Sequence, residues 1–376
     1  VTELVTQQTL ETKDGRLIGH LTLNKPKALN ALNLEMIQGL HQALSQWQDD
    51  DRIVAVVLDG EGDKAFCAGG DVVAMHNAMR DNPDKTPEAV EDFFTNEYQV
   101  DYQIHTYPKP ILLWGNGIVM GGGLGLMSGA SHRVVTETSR IAMPEITIGL
   151  YPDVGASYFL NKMPAGCGLF LGLTGANINA ADALHVRLAD HFIAHEHKQS
   201  LLEQMQTLEW QNDHDANHRL LTDICGNYAT QSEPHLPKSQ IDAHQSLIDE
   251  VANSGSAKQA AETILAADSE GDKWLSKAQA SLKSGSPTTA RIVYRQMQEG
   301  KDKSLADCFR MELGISCQCG QSGEFQEGVR ALLIDKDNRP QWQFTSIEAV
   351  TDEVVDAHFV SRWSENNHPL ANLGKE

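Results

Sequence analysis

The sequence predicts an α/β protein that continues into a mainly helical carboxy-terminal region. Three observations carry this. Short apolar runs alternate with amphipathic segments through the first 200 residues, as in strand–helix units. Two glycine-dense turns each follow a strand candidate and precede a helical segment. Beyond about residue 200 the strand-like runs nearly vanish, and Gln, Asp, His, Ser and Ala dominate. A chain of 376 residues has room for two domains or for one large core with an extension. The change in character predicts a core over 1–205 and a helical region over 206–376.

The elements follow in order. Leu17 to Leu23 reads as a strand. Residues 33–48 read as a helix, because Met36, Ile37, Leu40, Leu44 and Trp47 recur on one face and Asn33 is placed to cap the first turn. Ile53 to Leu58 is continuously apolar, the pattern of a strand buried on both faces. Residues 80–92 are polar with two prolines and read as a surface excursion. Residues 93–106 read as a helix stopped by Pro108 and Pro110. Ile111–Trp114, His132–Val135 and Arg140–Ala142 are further strand candidates. Residues 231–239 and 283–288 read as loops.

Composition narrows the function. Lys plus Arg number 30 against 51 Asp plus Glu, a net charge of −21. That balance argues against nucleic acid and anionic membrane surfaces as partners. No segment reaches the roughly 18 apolar residues of a membrane span, and the polar amino-terminal residues do not read as a secretory signal. Six scattered cysteines form no disulfide framework, which points to a reducing cytoplasm, or to a matrix reached through a removed presequence. Cys317 and Cys319 lack a second pair at zinc spacing. His191, His195 and His197 read as histidines at a surface helix end. No metal site is expected. Phosphate-loop and nucleophile-elbow patterns are absent, and Met120 stands where a dinucleotide fingerprint needs its third glycine.

Three segments can carry chemistry. Cys67-Ala68-Gly69-Gly70-Asp71 and Gly121-Gly122-Gly123-Leu124-Gly125 are glycine turns before helical segments. Helix starts expose unpaired N–H groups, and glycine lets a ligand reach the backbone. Side by side, two such turns can aim two N–H groups at one oxygen. For either turn alone, tight turns and close helix–strand packing are the better explanation. The third segment, Pro144 to Gly155, sets Glu145 and Asp153 eight residues apart in an apolar stretch. Carboxyls in such surroundings are buried ion pairs or catalytic groups, and Arg133 and Arg140 are the nearby candidates for pairing.

Taken together, KPKALNALN (25–33), AFCAGGDV (65–72), GNGIVMGGGLGL (115–126) and MPEITIGLYPDVGAS (143–157) resemble the crotonase (enoyl-CoA hydratase/isomerase) superfamily in order and spacing. Residues 286–300 and 325–342 extend the resemblance to its hydrolase branch. The resemblance implies a spiral of ββα units followed by helices. It implies an acyl-CoA substrate, with no cofactor beyond the coenzyme A that the substrate itself carries. The activity implied is hydrolysis of a short β-hydroxyacyl-CoA thioester, the valine-derived 3-hydroxyisobutyryl ester first. Alternatives are another crotonase reaction (isomerisation, hydration or decarboxylation) or a non-catalytic CoA-binding subunit. A homo-oligomer is possible on family precedent.

Residue by residue, the resemblance makes Gly70 and Gly122 the oxyanion donors. Hydratases have a glutamate just after the glycine triplet and a second in the Pro-Glu loop; here the positions hold Gly125 and Glu145. Asp153 stands where hydratases typically have glycine. Glu145, as nucleophile or as general base, and Asp153, as acid or hydroxyl-holder, are the implied catalytic pair. Glu97 is the implied contact for the substrate hydroxyl end. Lys25, Ala28, Asn30, Ala68, Gly70 and Asp71 are the implied CoA contacts, with Lys27 beside them.

Overall fold

A computed structural model describes residues 4–375. Among the described residues, nine strands form two sheets. The larger has the order β1 (Val5–Glu11), β2 (Leu17–Leu23), β3 (Ile53–Gly60), β5 (Ile111–Gly115), β7 (His132–Val135) and β9 (His191–Phe192). The smaller contains β4 (Ala65–Cys67), β6 (Ile118–Met120) and β8 (Arg140–Ala142). In each of the pairs β3–β4, β5–β6 and β7–β8, the first strand joins the larger sheet and the second joins the smaller. Helices Val72–Asp81 and Gly122–Gly129 follow the first two pairs. This is the repeating ββα spiral that the resemblance implies.

The larger sheet is parallel from β2 to β9, with β1 antiparallel on its edge. Parallel neighbours cannot be joined by a tight turn, so a helix intervenes between β2 and β3. That helix is Leu34–Gln48, and the Asn33 side chain accepts from Met36 N at 2.9 Å, the cap expected of it. Its Trp47 ring fills the space a Cβ on Gly19 would occupy, at 2.4 Å. All eight residues of β3 are buried, which explains its unbroken apolar run. Helices Lys198–Met205 and His214–Ser232 contribute Leu201, Met205, Leu221 and Ile224 to a core with Val57 and Trp114 of the sheet.

The chain divides into two compact units, each assembled from separated segments. One comprises the described residues up to Gly70 with Val100–Ile141 and Ile178–Gln240; the other comprises Asp71–Gln99, Ala142–Asn177 and the residues from Ile241 onward. The expected boundary at residue 205 is therefore not where the contacts divide. Residues 206–240 pack on the larger sheet, while the loop bearing Glu145 and Asp153 packs with the carboxy-terminal helices. The region after 206 is helical throughout its regular elements, as its composition predicts. The polar stretch 80–92 is only partly excursion, since a helix has begun by Glu88 and runs to His105. His191 lies in β9 rather than at a helix end, stacked on His132 with ring centroids 6.3 Å apart. Cys317 and Cys319 are buried, unbridged thiols inside the helix Leu305–Ser322.

Candidate active site

In the first unit the two glycine turns meet. Gly69 has φ +111°, a conformation open to glycine, and the Cβ it lacks would sit 3.4 Å from Met120 O and 3.9 Å from Gly122 N. The approach is tighter one residue on: a Cβ on Gly123 would lie 2.3 Å from the Cys67 carbonyl oxygen. Small residues here are thus a requirement of contact between the turns. Gly122 opens the helix Gly122–Gly129, where first-turn N–H groups have no intrahelical acceptor. Gly70 is bridged to Leu32 in the adjoining segment, and Leu32 N donates to Gly69 O at 2.8 Å.

The segment bearing Lys25, Ala28 and Asn30 runs beside the first turn, with Ala68 N donating to Leu29 O at 3.0 Å. Asn30 is fully buried, and its side chain is committed to the fold: Nδ2 donates to Ala65 O and Glu61 O, and Oδ1 accepts from Lys25 N. Asp71 caps the helix Val72–Asp81 by accepting from Ala74 N at 3.3 Å. Lys25 is half-buried; Lys27 and Ala28 are exposed.

In the second unit Glu97, Glu145 and Asp153 are 3%, 5% and 4% exposed. Glu97 lies within the helix Glu88–His105, and Glu145 opens the short 3₁₀ turn Glu145–Ile148. Burial pushes the Glu97 carboxyl well above its ordinary range, and the charges of Asp153 and Glu145 push it further. Burial and Asp153 do the same to Glu145, against the pull of its own backbone N–H. Burial raises Asp153 to about 7, although the Tyr98 hydroxyl and its own backbone N–H favour the carboxylate. The Asp153 charge raises both other carboxyls, so the three resist being ionised together at neutral pH. Glu145 Oε2 has no hydrogen-bond partner among the described residues, a costly state for a buried oxygen unless it serves chemistry. Arg133 pairs with Asp190 at 2.8 Å, so the expected alternative of a Glu145 or Asp153 salt bridge to Arg133 is not the one formed.

The loop carrying these acids is held by the carboxy-terminal helices. Val154 has φ +54°, strained for a β-branched residue, and Gly155 has φ +90°. The buried Glu312 carboxyl fixes that turn by accepting from Gly155 N at 2.7 Å and Ser157 N at 2.8 Å. On the Glu145 side, a Cβ on Gly149 would lie 2.4 Å from Glu324 O, and one on Gly328 would lie 2.2 Å from the Ile148 carbonyl carbon. Sequence reasoning missed Glu312, Tyr98, Tyr151 and Ser316. A carboxylate inside the otherwise apolar helical run MELGISC was the available signal for the first.

Comparison with known proteins gives the family. The enoyl-CoA hydratase/isomerase family model matches residues 18–359. The chain belongs to the enoyl-CoA hydratase/isomerase family. It is 37% identical over 354 residues to the mitochondrial 3-hydroxyisobutyryl-CoA hydrolase of Xenopus tropicalis, covering 94% of this chain and 89% of that one. The human mitochondrial 3-hydroxyisobutyryl-CoA hydrolase is 35% identical over 349 residues, covering 93% and 87%. Among solved structures, a carnitinyl-CoA dehydratase from Mycobacterium thermoresistibile is 30% identical with a TM-score of 0.82 over 96% of this chain and 97% of its own. An enoyl-CoA hydratase from Rhodobacter sphaeroides is 31% identical with a TM-score of 0.80, covering 95% and 97%. This family has the crotonase fold, with the carboxy-terminal helices included in both matches. Among the described residues no helix is long and apolar enough to cross a membrane, and no cluster of His, Cys, Asp and Glu could hold a metal ion.

Proposed function

We propose that this protein hydrolyses the thioester of 3-hydroxyisobutyryl-CoA, giving the free hydroxy acid and CoA. The observation that carries the reading is the buried carboxyl cluster of Glu97, Glu145 and Asp153, in a chain whose other hydratase carboxyl position is Gly125. Hydration of a double bond by the two-glutamate route lacks its second group here. Thioester cleavage needs one carboxylate and one acid, and the cluster supplies both.

In this reading the Gly70 and Gly122 N–H groups receive the thioester oxygen as charge grows on it. One such donor is worth about 2.7–4 kcal/mol in other enzymes. Glu145 attacks the carbonyl to form a mixed anhydride, which water then opens, or it draws the proton from an attacking water. The carbon–sulfur bond breaks, and the CoA sulfur takes its proton from Asp153. Glu97 holds the substrate hydroxyl. CoA lies along Lys25, Ala28, Asn30, Ala68, Gly70 and Asp71. Because the Asn30 side chain is already bonded and Asp71 caps its helix, the contacts in this segment fall to backbone atoms and to the lysines. The six buried, unbridged cysteines suit a reducing compartment, a cytoplasm or the matrix of the mitochondrion, the organelle named for the vertebrate relatives.

Steady-state thiol release tests the activity. Release from 3-hydroxyisobutyryl-CoA is expected to exceed that from 3-hydroxypropionyl-CoA, and Glu145→Gln is expected to lower it by about 10²–10⁴-fold. Hydration of crotonyl-CoA without thiol release from either ester overturns the reading. Single turnover in heavy-oxygen water distinguishes the two roles of Glu145, because label carried by Glu145 itself marks the anhydride.

A further inference from the structure

Asp153 stands at the head of a file of hydroxyl groups. Its carboxyl oxygen lies 2.6 Å from the Tyr98 hydroxyl, which lies 2.6 Å from the Ser316 hydroxyl. Ser316 Oγ lies 2.8 Å from the Tyr151 hydroxyl, and Tyr151 lies 2.7 Å from the backbone carbonyl of Glu312. All four separations are those of O–H···O hydrogen bonds, and each such bond needs one proton. Tyrosine and serine hydroxyls carry one proton each, and a carbonyl carries none.

With Asp153 ionised, three hydroxyl protons must serve four contacts. One pair of buried oxygens is then left with lone pairs facing each other. With a proton on Asp153, four protons serve four contacts. They run in one direction, from Asp153 to Tyr98, to Ser316, to Tyr151, and finally to the Glu312 carbonyl, which can only accept. Tyr98 alone favours the Asp153 carboxylate, because it can donate to it. The two hydroxyls behind Tyr98 reverse that preference, because its donation moves the missing proton further down the file.

We propose that Tyr98, Ser316 and Tyr151 are positioning residues whose one-way file keeps a proton on Asp153, leaving Glu145 as the carboxylate. The inference rests on the reading of Asp153 as the acid and Glu145 as the nucleophile or base. The file acts against the order that burial and charge set on their own, in which Asp153 ionises first and its charge holds the proton on Glu145. Productive chemistry needs the proton on Asp153 and the charge on Glu145, and the reverse arrangement is inert. The titratable groups whose charges act with Asp153 are Glu97, Glu145, Glu312, Tyr98, Tyr151 and the Cys319 thiol. None of these is a cation that would hold Asp153 ionised.

Two substitutions away from the reacting carboxyls test the count. In Tyr151→Phe, the protons of Tyr98 and Ser316 serve the two remaining contacts with Asp153 ionised. In Ser316→Ala, Tyr98 serves Asp153 and Tyr151 serves the Glu312 carbonyl, and again nothing is missing. Both variants therefore lower the pH at which Asp153 loses its proton, by about one pH unit. Infrared difference spectra across a pH titration read this directly, with Asp153→Asn identifying the protonated-carboxyl band. A file that merely strengthened Tyr98 as a donor gives the opposite sign, since removing its support weakens the donation and raises the titration. A band that stays in place or moves up in either folded variant overturns the proposal. The alkaline limb of kcat/KM is expected to follow the band downward. A band that moves down while that limb stays fixed leaves the file standing and removes Asp153 from the role of acid.

Discussion

The glycine turns of the first unit and the acidic cluster of the second hold the groups proposed for the chemistry by opposite means. The turns present backbone N–H groups, which need no titration and whose position follows from local chain geometry. Cys67 and Gly123 are pressed together so closely that a methyl group has no room. The cluster presents side chains whose protonation is everything. Its parts come from Glu97, Glu145 and Asp153 and are held by Glu312 and Ser316, far along the chain. A backbone device tolerates pH and fails by steric intrusion. A carboxyl device tolerates steric trimming better and fails by loss of support or by a misplaced proton.

Steric intrusion is expected to have the largest effect. Gly123→Ala puts a Cβ where the Cys67 carbonyl oxygen lies 2.3 Å away, so the two turns must separate. Thiol release should fall by about 10²-fold, the cost of displacing aligned groups by about 1 Å, with a lowered Tm. Wild-type kcat and Tm in this variant break the claim that the turns need contact. Loss of support comes next. Glu312→Ala leaves the Gly155 and Ser157 N–H groups buried without their acceptor, beside the strained Val154. Urea denaturation should show a loss of about 2–5 kcal/mol, and kcat should fall with little change in KM. An unchanged kcat in a stably folded Glu312→Ala shows that the turn holds its shape unaided.

The smallest effect sharpens the comparison by giving the first unit a titration of its own. Burial, with the neighbouring His218, lowers His132 to about 4 from an ordinary 6.5. The unfolded chain binds this proton at higher pH than the folded one. The stability due to neutral His132 is therefore fully present above pH 6.5 and is lost as pH falls toward 4, by about 3 kcal/mol in all. His132→Gln should flatten that acid loss in urea titrations while leaving the pH profile of thiol release in place. A shifted activity profile in His132→Gln shows that the two regions do not titrate independently.

Much of the fold was legible because its signals are local. Ile53–Leu58 read as a buried strand, Leu17–Leu23 and His132–Val135 have the ends that their apolar patterns give, and Asn33 caps the helix it precedes. The short strands β4, β6 and β9 were not legible, since two or three residues carry no period. β1, Val5–Glu11, alternates too weakly on the sheet edge to stand out. The glycine turns and the Glu145/Asp153 loop were legible as candidates and, through the resemblance, as a set.

By itself, then, the sequence determined the α/β class, the ββα order and the resemblance that names the family, and it singled out the glycines and carboxyls proposed for the chemistry. Local pattern and motif spacing suffice for these. Only the tertiary structure decided how the chain divides, because the loop at 142–177 packs with helices that begin about a hundred residues later. It alone showed that Asn30 is spent inside the fold, that Arg133 belongs to Asp190, and that Tyr98, Ser316 and Tyr151 line up behind Asp153. Hydrogen bonding depends on distances of a few tenths of an ångström between residues such as Tyr98 and Ser316, 218 positions apart. No periodicity in a linear sequence encodes them.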